Sequence, residues 1–110
     1  MFAEVKAMVQ NQVSGTGYDD EIILWTKAAL LDLTMDQIVL PGVFSVSKDD
    51  ETGAITDNST IEDEYVFAAC ATFCCMNIGN PPNHDNLMRT HKTIKGNMRN
   101  SSKYKEGADG

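Results

Sequence analysis

The chain has 110 residues, room for one ordinary domain and not for two. Its hydrophobic share is 42%, and its 24 Leu, Ile, Val and Phe residues lie just above the share of a disordered chain and allow a thin core. The formal net charge is −7, no apolar run approaches the ~20 residues of a membrane span, and Met1-Phe2-Ala3-Glu4 lacks the pattern of a secretory signal, so the expectation is a cytosolic protein without a membrane partner.

The first segment, Phe2 to about Gln12, puts Phe2, Val5, Met8 and Val9 near helical spacing and predicts a short helix, broken by Ser14-Gly15-Thr16-Gly17. The second starts at Tyr18-Asp19-Asp20-Glu21, whose carboxylates suit the positive end of a helix. Ile22, Trp25, Ala29 and Leu33 follow as one stripe, widened by Ile23 and Leu30. The helix is expected to run to about Leu33 and loosen over 34–37, with Pro41-Gly42 as the stop.

Residues 43–58 read differently. Val43-Phe44-Ser45-Val46 and Ala54-Ile55-Thr56 flank Lys48-Asp49-Asp50-Glu51-Thr52-Gly53, which predicts a small β-hairpin or an extended loop with an acidic tip. The tip is not a calcium loop. Counting back from Gly53 as the sixth position puts Lys48 first, where a cation repels the metal.

Ser59-x-x-Glu62 has the form of a capping box, with Thr60-x-x-Asp63 as a weaker register, and predicts a helix from there to about Ile78. Tyr65 to Ile78 carries no charge at all. A helix apolar on every side must be covered on every side. Two covers are open: a neighbouring copy of the chain, approaching over Tyr65, Phe67, Ala68, Phe73 and Met76, or the hairpin and the first helix of the same chain. Gly79-Asn80-Pro81-Pro82 ends this helix and starts the next. That last helix is expected from about Pro82 to Asn100, with Leu87, Met88, His91, Ile94 or Lys95, and Met98 on one face and Arg89, Lys92 and Arg99 on the other. Residues 101–110 read as a mobile tail beyond a single helical domain of residues 1–100. The fold class is therefore mainly α: three main helices, a short N-terminal helix, and a hairpin-like insert between the second and third helical segments.

Charge divides the chain. Residues 1–82 hold three bases against thirteen acids, whereas residues 83–110 hold six bases, Arg89, Lys92, Lys95, Arg99, Lys103 and Lys105, against three acids. An acidic body with a basic end can meet nucleic acid or an acidic protein surface, or simply present a solvated helix face.

Catalytic chemistry is hard to find. Cys70, Cys74 and Cys75 lie in the uncharged helix, where an unpaired thiol behaves as a small buried hydrophobe. Zinc prefers ligands on loops at C-x₂₋₄-C spacing with a second pair, which His84 and His91 do not complete. His91 on an apolar face reads as a packed imidazole, and His84 as a capping or surface residue. The chain contains no phosphate-binding glycine loop and no nucleophile elbow. The expectation is a protein that is not an enzyme, without catalytic residues, metal or cofactor.

The order of these blocks resembles the head–tail connector proteins of tailed bacteriophages. A short helix before Tyr18-Asp19-Asp20-Glu21-Ile22, the stretch Ala28 to Leu33, the acidic start Ile61-Glu62-Asp63-Glu64, the apolar aromatic helix, the break Gly79-Asn80-Pro81 and a basic last helix ending at Ser101-Ser102-Lys103-Tyr104 carry the likeness, over roughly residues 2–34 and 60–104. The insert at 43–58 is longer than in compact members, and Cys74-Cys75 replaces more usual aromatic or aliphatic residues. The resemblance implies an adaptor of the phage neck, assembled in the bacterial cytoplasm and carried in the virion. Its copies would form a ring, twelvefold in that family, beneath the portal protein after DNA packaging, and offer a docking surface to a stopper or tail-completion protein. DNA would pass through the channel without sequence-specific binding. In this chain the portal or partner contact would fall on Arg89, Lys92, Lys95, Arg99, Lys103, Tyr104 and Lys105, the subunit interface on Tyr65, Phe67, Ala68, Phe73 and Met76, and the tail-side loop on Phe44, Asp49, Asp50 and Glu51. The competing expectation from the residues alone is a small helical nucleic-acid-binding protein using the same bases.

Overall fold

The computed structural model describes residues 1–13, 17–78 and 82–105. It is mainly helical, with helices α1 (Phe2–Gln10), α2 (Asp19–Met35), α3 (Glu64–Asn77) and α4 (His84–Asn100), and a short 3₁₀ turn at Ser102–Tyr104. A two-stranded antiparallel hairpin, β1 (Val46–Lys48) and β2 (Ile55–Asp57), lies between α2 and α3, in the register Val46↔Asp57, Ser47↔Thr56 and Lys48↔Ile55. The helical bundle with an inserted hairpin is thus as expected. The break at Ser14-Gly15-Thr16 and the break at Gly79-Asn80-Pro81 lie outside the described residues.

The uncharged helix α3 is the centre of the bundle. It packs against α1, α2 and α4 together. Val66, Phe67, Ala69, Cys70, Ala71, Cys74 and Cys75 are all buried. Their cover comes from Phe2, Val5 and Val9 of α1, Ile22, Ala29 and Leu33 of α2, and Met98 of α4, with Ile38, Ile61 and Tyr104 in the same core. The apolar character of α3 therefore serves the chain's own interior, because three helices rather than two surround it.

Helix starts and stops depart from the sequence reading in instructive ways. The cap of α3 is Asp63, whose Oδ1 accepts from the Val66 amide at 3.1 Å. The hydroxyls of the expected capping box are used elsewhere: Ser59 Oγ accepts from the Ser45 amide and Thr60 Oγ1 from the Val43 amide, both at 2.9 Å. With Asn58 N donating to Ser45 O and Thr60 N to Val43 O, these bonds extend the hairpin's pairing well below its strands. Helix α2 ends at Met35 in a Schellman arrangement. Ile38 N donates to Leu33 O, Gln37 N donates to Thr34 O, and Gln37 takes a φ of 64°, the left-handed conformation usually given to glycine.

The first residues of the expected tail, 101–105, contact the bundle. Tyr104 is buried, and its carbonyl accepts from the Val39 amide at 2.7 Å. The remainder of the expected tail, 106–110, lies outside the described residues. No helix is long and apolar enough to cross a membrane among the described residues.

Candidate functional site

The basic residues expected to act together divide into two groups. Arg89 and Lys92 lie on α4 away from its buried residues His91 and Met98, and Arg99 flanks them at the end of the helix; all three are exposed and have no ion-pair partner among the described residues. Lys105 is likewise exposed and unpaired. Lys95 and Lys103 are ion-paired within the chain, Lys103 while remaining exposed, and Tyr104 is in the core.

Lys95 closes a clamp between α2 and α4. Its Nζ lies 2.6 Å from Asp36 and 3.0 Å from Asp32, and His91 Nε2 lies 3.1 Å from the same Asp32 oxygen. A carboxylate only accepts, so His91 carries its proton on Nε2. Its Nδ1 is buried without a hydrogen-bond partner among the described residues. Burial works against the Lys95 charge, but the hydrogen bonds to Asp36 and Asp32 outweigh it and raise the ammonium's pKa above its ordinary value. Burial likewise opposes the Asp32 charge, and the bonds from His91 and Lys95 leave its carboxyl below the ordinary value. The His91 ring sits 5.4 Å from Phe73, which in turn sits 6.2 Å from Trp25. His91 is the packed imidazole that its position on the helix predicts.

Lys103 lies 2.7 Å from Asp63, the carboxylate that also caps α3 and meets the Tyr104 hydroxyl. The first residues of the expected tail are therefore tied to the start of α3.

The residues of the subunit interface expected on α3 differ in exposure. Phe67 is buried, Ala68, Phe73 and Met76 are half-buried, with Phe73 beside Trp25 and His91, and Tyr65 is exposed. An open apolar surface lies on α2. Leu24, Leu31 and Met35 are 57%, 61% and 75% exposed, and with Ala28 they form a single stripe at steps of four, three and four. Beyond the helix end, Val39 and Val43 are exposed as well.

At the C-terminal end of α2, an open groove of about 920 Å³ runs between the 38–40 segment and the end of α4. Val39 and Leu40 contribute apolar surface beside the buried Ile38 and Tyr104, while Arg99 and Lys105 contribute cations; Asp36, also on the wall, is ion-paired with Lys95, which it shares with Asp32.

The expected tail-side loop also divides. Phe44 packs half-buried against the core, away from the hairpin tip. Asp49 is spent on the tip itself: its Oδ1 accepts from the amides of Glu51 and Thr52, at 2.8 and 3.0 Å. Those bonds hold its carboxyl below the ordinary value. Asp50 and Glu51 point outward, exposed and without ion-pair partners among the described residues.

The three cysteines are free and buried. Burial pushes the Cys75 thiol up to about 11 and the Cys74 thiol up to about 12, and raises Cys70 as well. Cys74 Sγ sits within hydrogen-bonding range of the Ile22 carbonyl and the Thr26 hydroxyl. Among the described residues, no three His, Cys, Asp or Glu side chains gather in a group that could hold a metal ion.

Comparison with protein-family models, with curated proteins and with solved structures found no match.

Proposed function

We propose that this chain is a structural adaptor of a tailed-phage neck, forming a ring beneath the portal and offering the next neck or tail protein a docking surface. The observation that carries the self-associating part is the unburied stripe Leu24, Ala28, Leu31 and Met35 on α2, in a chain whose own core is already closed around α3. Three large apolar side chains in a row on one helix are what an interface core requires and what a freely tumbling small domain gains nothing from exposing. A head-to-tail contact that closes produces a ring. The phage assignment itself comes from the likeness of the sequence blocks to head–tail connectors.

The portal contact falls on the unpaired bases Arg89 and Lys92, since Lys95 and Lys103 are ion-paired within the fold, Tyr104 is buried, and Arg99 and Lys105 line a groove at the end of α2. The test is light scattering of the purified chain, alone and mixed with a cognate portal ring. The expected result is a large complex carrying many copies per portal; failure to load any portal assembly overturns the assignment.

A nucleic-acid-binding reading draws on one observation, the exposed and unpaired Arg89, Lys92 and Arg99 on a single face of α4. It requires duplex binding that weakens steeply with salt. The −7 net charge works against it.

A further inference from the structure

The two ends of α2 carry opposite, unsatisfied charges. At its N-terminal end, Lys48 of β1 holds Asp20 at 3.2 Å and so places the hairpin beside the start of the helix. The tip beyond Lys48 presents Asp50 and Glu51 to solvent, on a turn fixed by the Asp49 side chain. At the other end lies the groove with Arg99 and Lys105 on its walls. A helix of 17 residues is about 25 Å long, so neither tip nor groove can serve the other within one molecule.

We propose that the groove receives the hairpin tip of a neighbouring copy, with Arg99 and Lys105 facing that copy's Asp50 and Glu51. This rests on the ring reading and names the contact that builds it. Three observations support a copy of the chain as the occupant. The charges are complementary in sign and number, two against two, and all four are unpaired among the described residues. Among the described residues the one acid on the groove wall, Asp36, is ion-paired with Lys95, which lessens its repulsion of an incoming carboxylate. The groove also offers apolar surface close to the end of α2, since Val39 on its wall is exposed four residues after Met35. Donor and acceptor surfaces at opposite ends of one molecule make a heterologous contact, the kind that propagates around a ring. Because the tip is held by its own hydrogen bonds, little ordering is needed on docking.

The experiment compares the native chain, Asp50→Lys with Glu51→Lys, and Arg99→Glu with Lys105→Glu by concentration-dependent light scattering, alone and with a portal ring, after circular dichroism confirms the fold of each. Either double reversal is expected to weaken self-association by about tenfold or more, and an equimolar mixture of the two to restore it, since every contact in an alternating assembly is again between opposite charges. In a second arm, Glu51→Cys and Lys105→Cys chains are mixed and oxidised, and a disulfide-linked dimer is expected. Self-association unchanged by the reversals, or no cross-link in an associating mixture, overturns this contact and leaves the ring reading standing. Loss of portal loading in the groove variant with native self-association assigns the groove to another protein and also overturns the contact. A native chain that stays single at every concentration, with and without portal, overturns contact and ring together.

Discussion

Tyr104 and Asp63, forty-one residues apart in sequence, meet in the interior: the phenol oxygen lies 2.8 and 2.7 Å from the two carboxylate oxygens. The same carboxylate caps α3 through Val66 and pairs with Lys103, so one side chain joins the start of the central helix to the end of the described chain. Removing the hydroxyl leaves a buried charged acceptor with fewer donors. Tyr104→Phe is expected to cost about 1–3 kcal/mol, read as a shift of the urea midpoint.

That network also sets an acid limit. Burial alone would raise the Asp63 pKa, but the hydrogen bonds from Lys103, Tyr104 and Val66 outweigh it and hold the carboxyl below the ordinary value. A carboxyl held low in the folded state contributes stability above its unfolded pKa of ~4, and that contribution is lost as pH falls through the folded value. Asp32 and Asp57 are held low too. Urea midpoints are therefore expected to fall steadily as pH drops from about 5 toward 2, and Asp63→Asn is expected to flatten part of that slope.

Two lysines three residues apart on α4 are expected to behave differently. Lys95 bridges Asp32 and Asp36 at a half-buried position, whereas Lys92 is exposed and unpaired among the described residues. Lys95→Ala should destabilise the fold by about 1–3 kcal/mol, since it leaves Asp36 without its ion-pair partner and Asp32 with only His91. Lys92→Ala should stay within about 0.5 kcal/mol. Equal effects in thermal unfolding would refute the clamp.

Glycines 42 and 96 give opposite expectations for one substitution. A Cβ on Gly42 would meet Thr60 Oγ1 at 2.7 Å and the Ile61 amide nitrogen at 2.9 Å, where the chain returns from the hairpin. Gly42→Ala is expected to cost about 1–3 kcal/mol. A Cβ on Gly96 meets nothing within 4 Å, and the residue lies inside α4. Gly96→Ala is expected to stabilise by about 1 kcal/mol, since alanine loses less backbone freedom in a helix. Calorimetric midpoints moving in opposite directions would check both.

The helices were legible because their apolar residues recur at helical spacing, and the hairpin because strand-like runs flank a charged turn. The α3 cap was misplaced because Ser59-x-x-Glu62 and an isolated Asp63 are both good local signals; the choice depends on Ser59 and Thr60 being needed to brace the hairpin. The stop of α2 was obscured because the left-handed residue is Gln37, not glycine. Of the two covers open for α3, the first helix does contribute, together with α2, α4 and Tyr104, whose burial the reading of residues 101–110 as a tail did not include. The α2 face was within reach of the same reasoning applied to α3. Ile22, Ile23, Leu24 and Trp25 are consecutive and cannot all face one core, and Leu31 and Met35 continue the excess in register with Leu24. The separation of Lys95 and Lys103 from the other bases was not legible, because it depends on Asp32, Asp36 and Asp63 being brought near them by the fold.

The α2 face is tested most directly by counting copies. Light scattering of a portal ring saturated with the native chain is to be compared with one exposed to a Leu24→Ser, Leu31→Ser, Met35→Ser triple variant whose helical content is unchanged. The expected result is a ring's worth of copies on each portal for the native chain and a marked loss of loading for the variant. Equal loading by both chains, or no loading by the native one, would contradict the proposal that copies meet through α2.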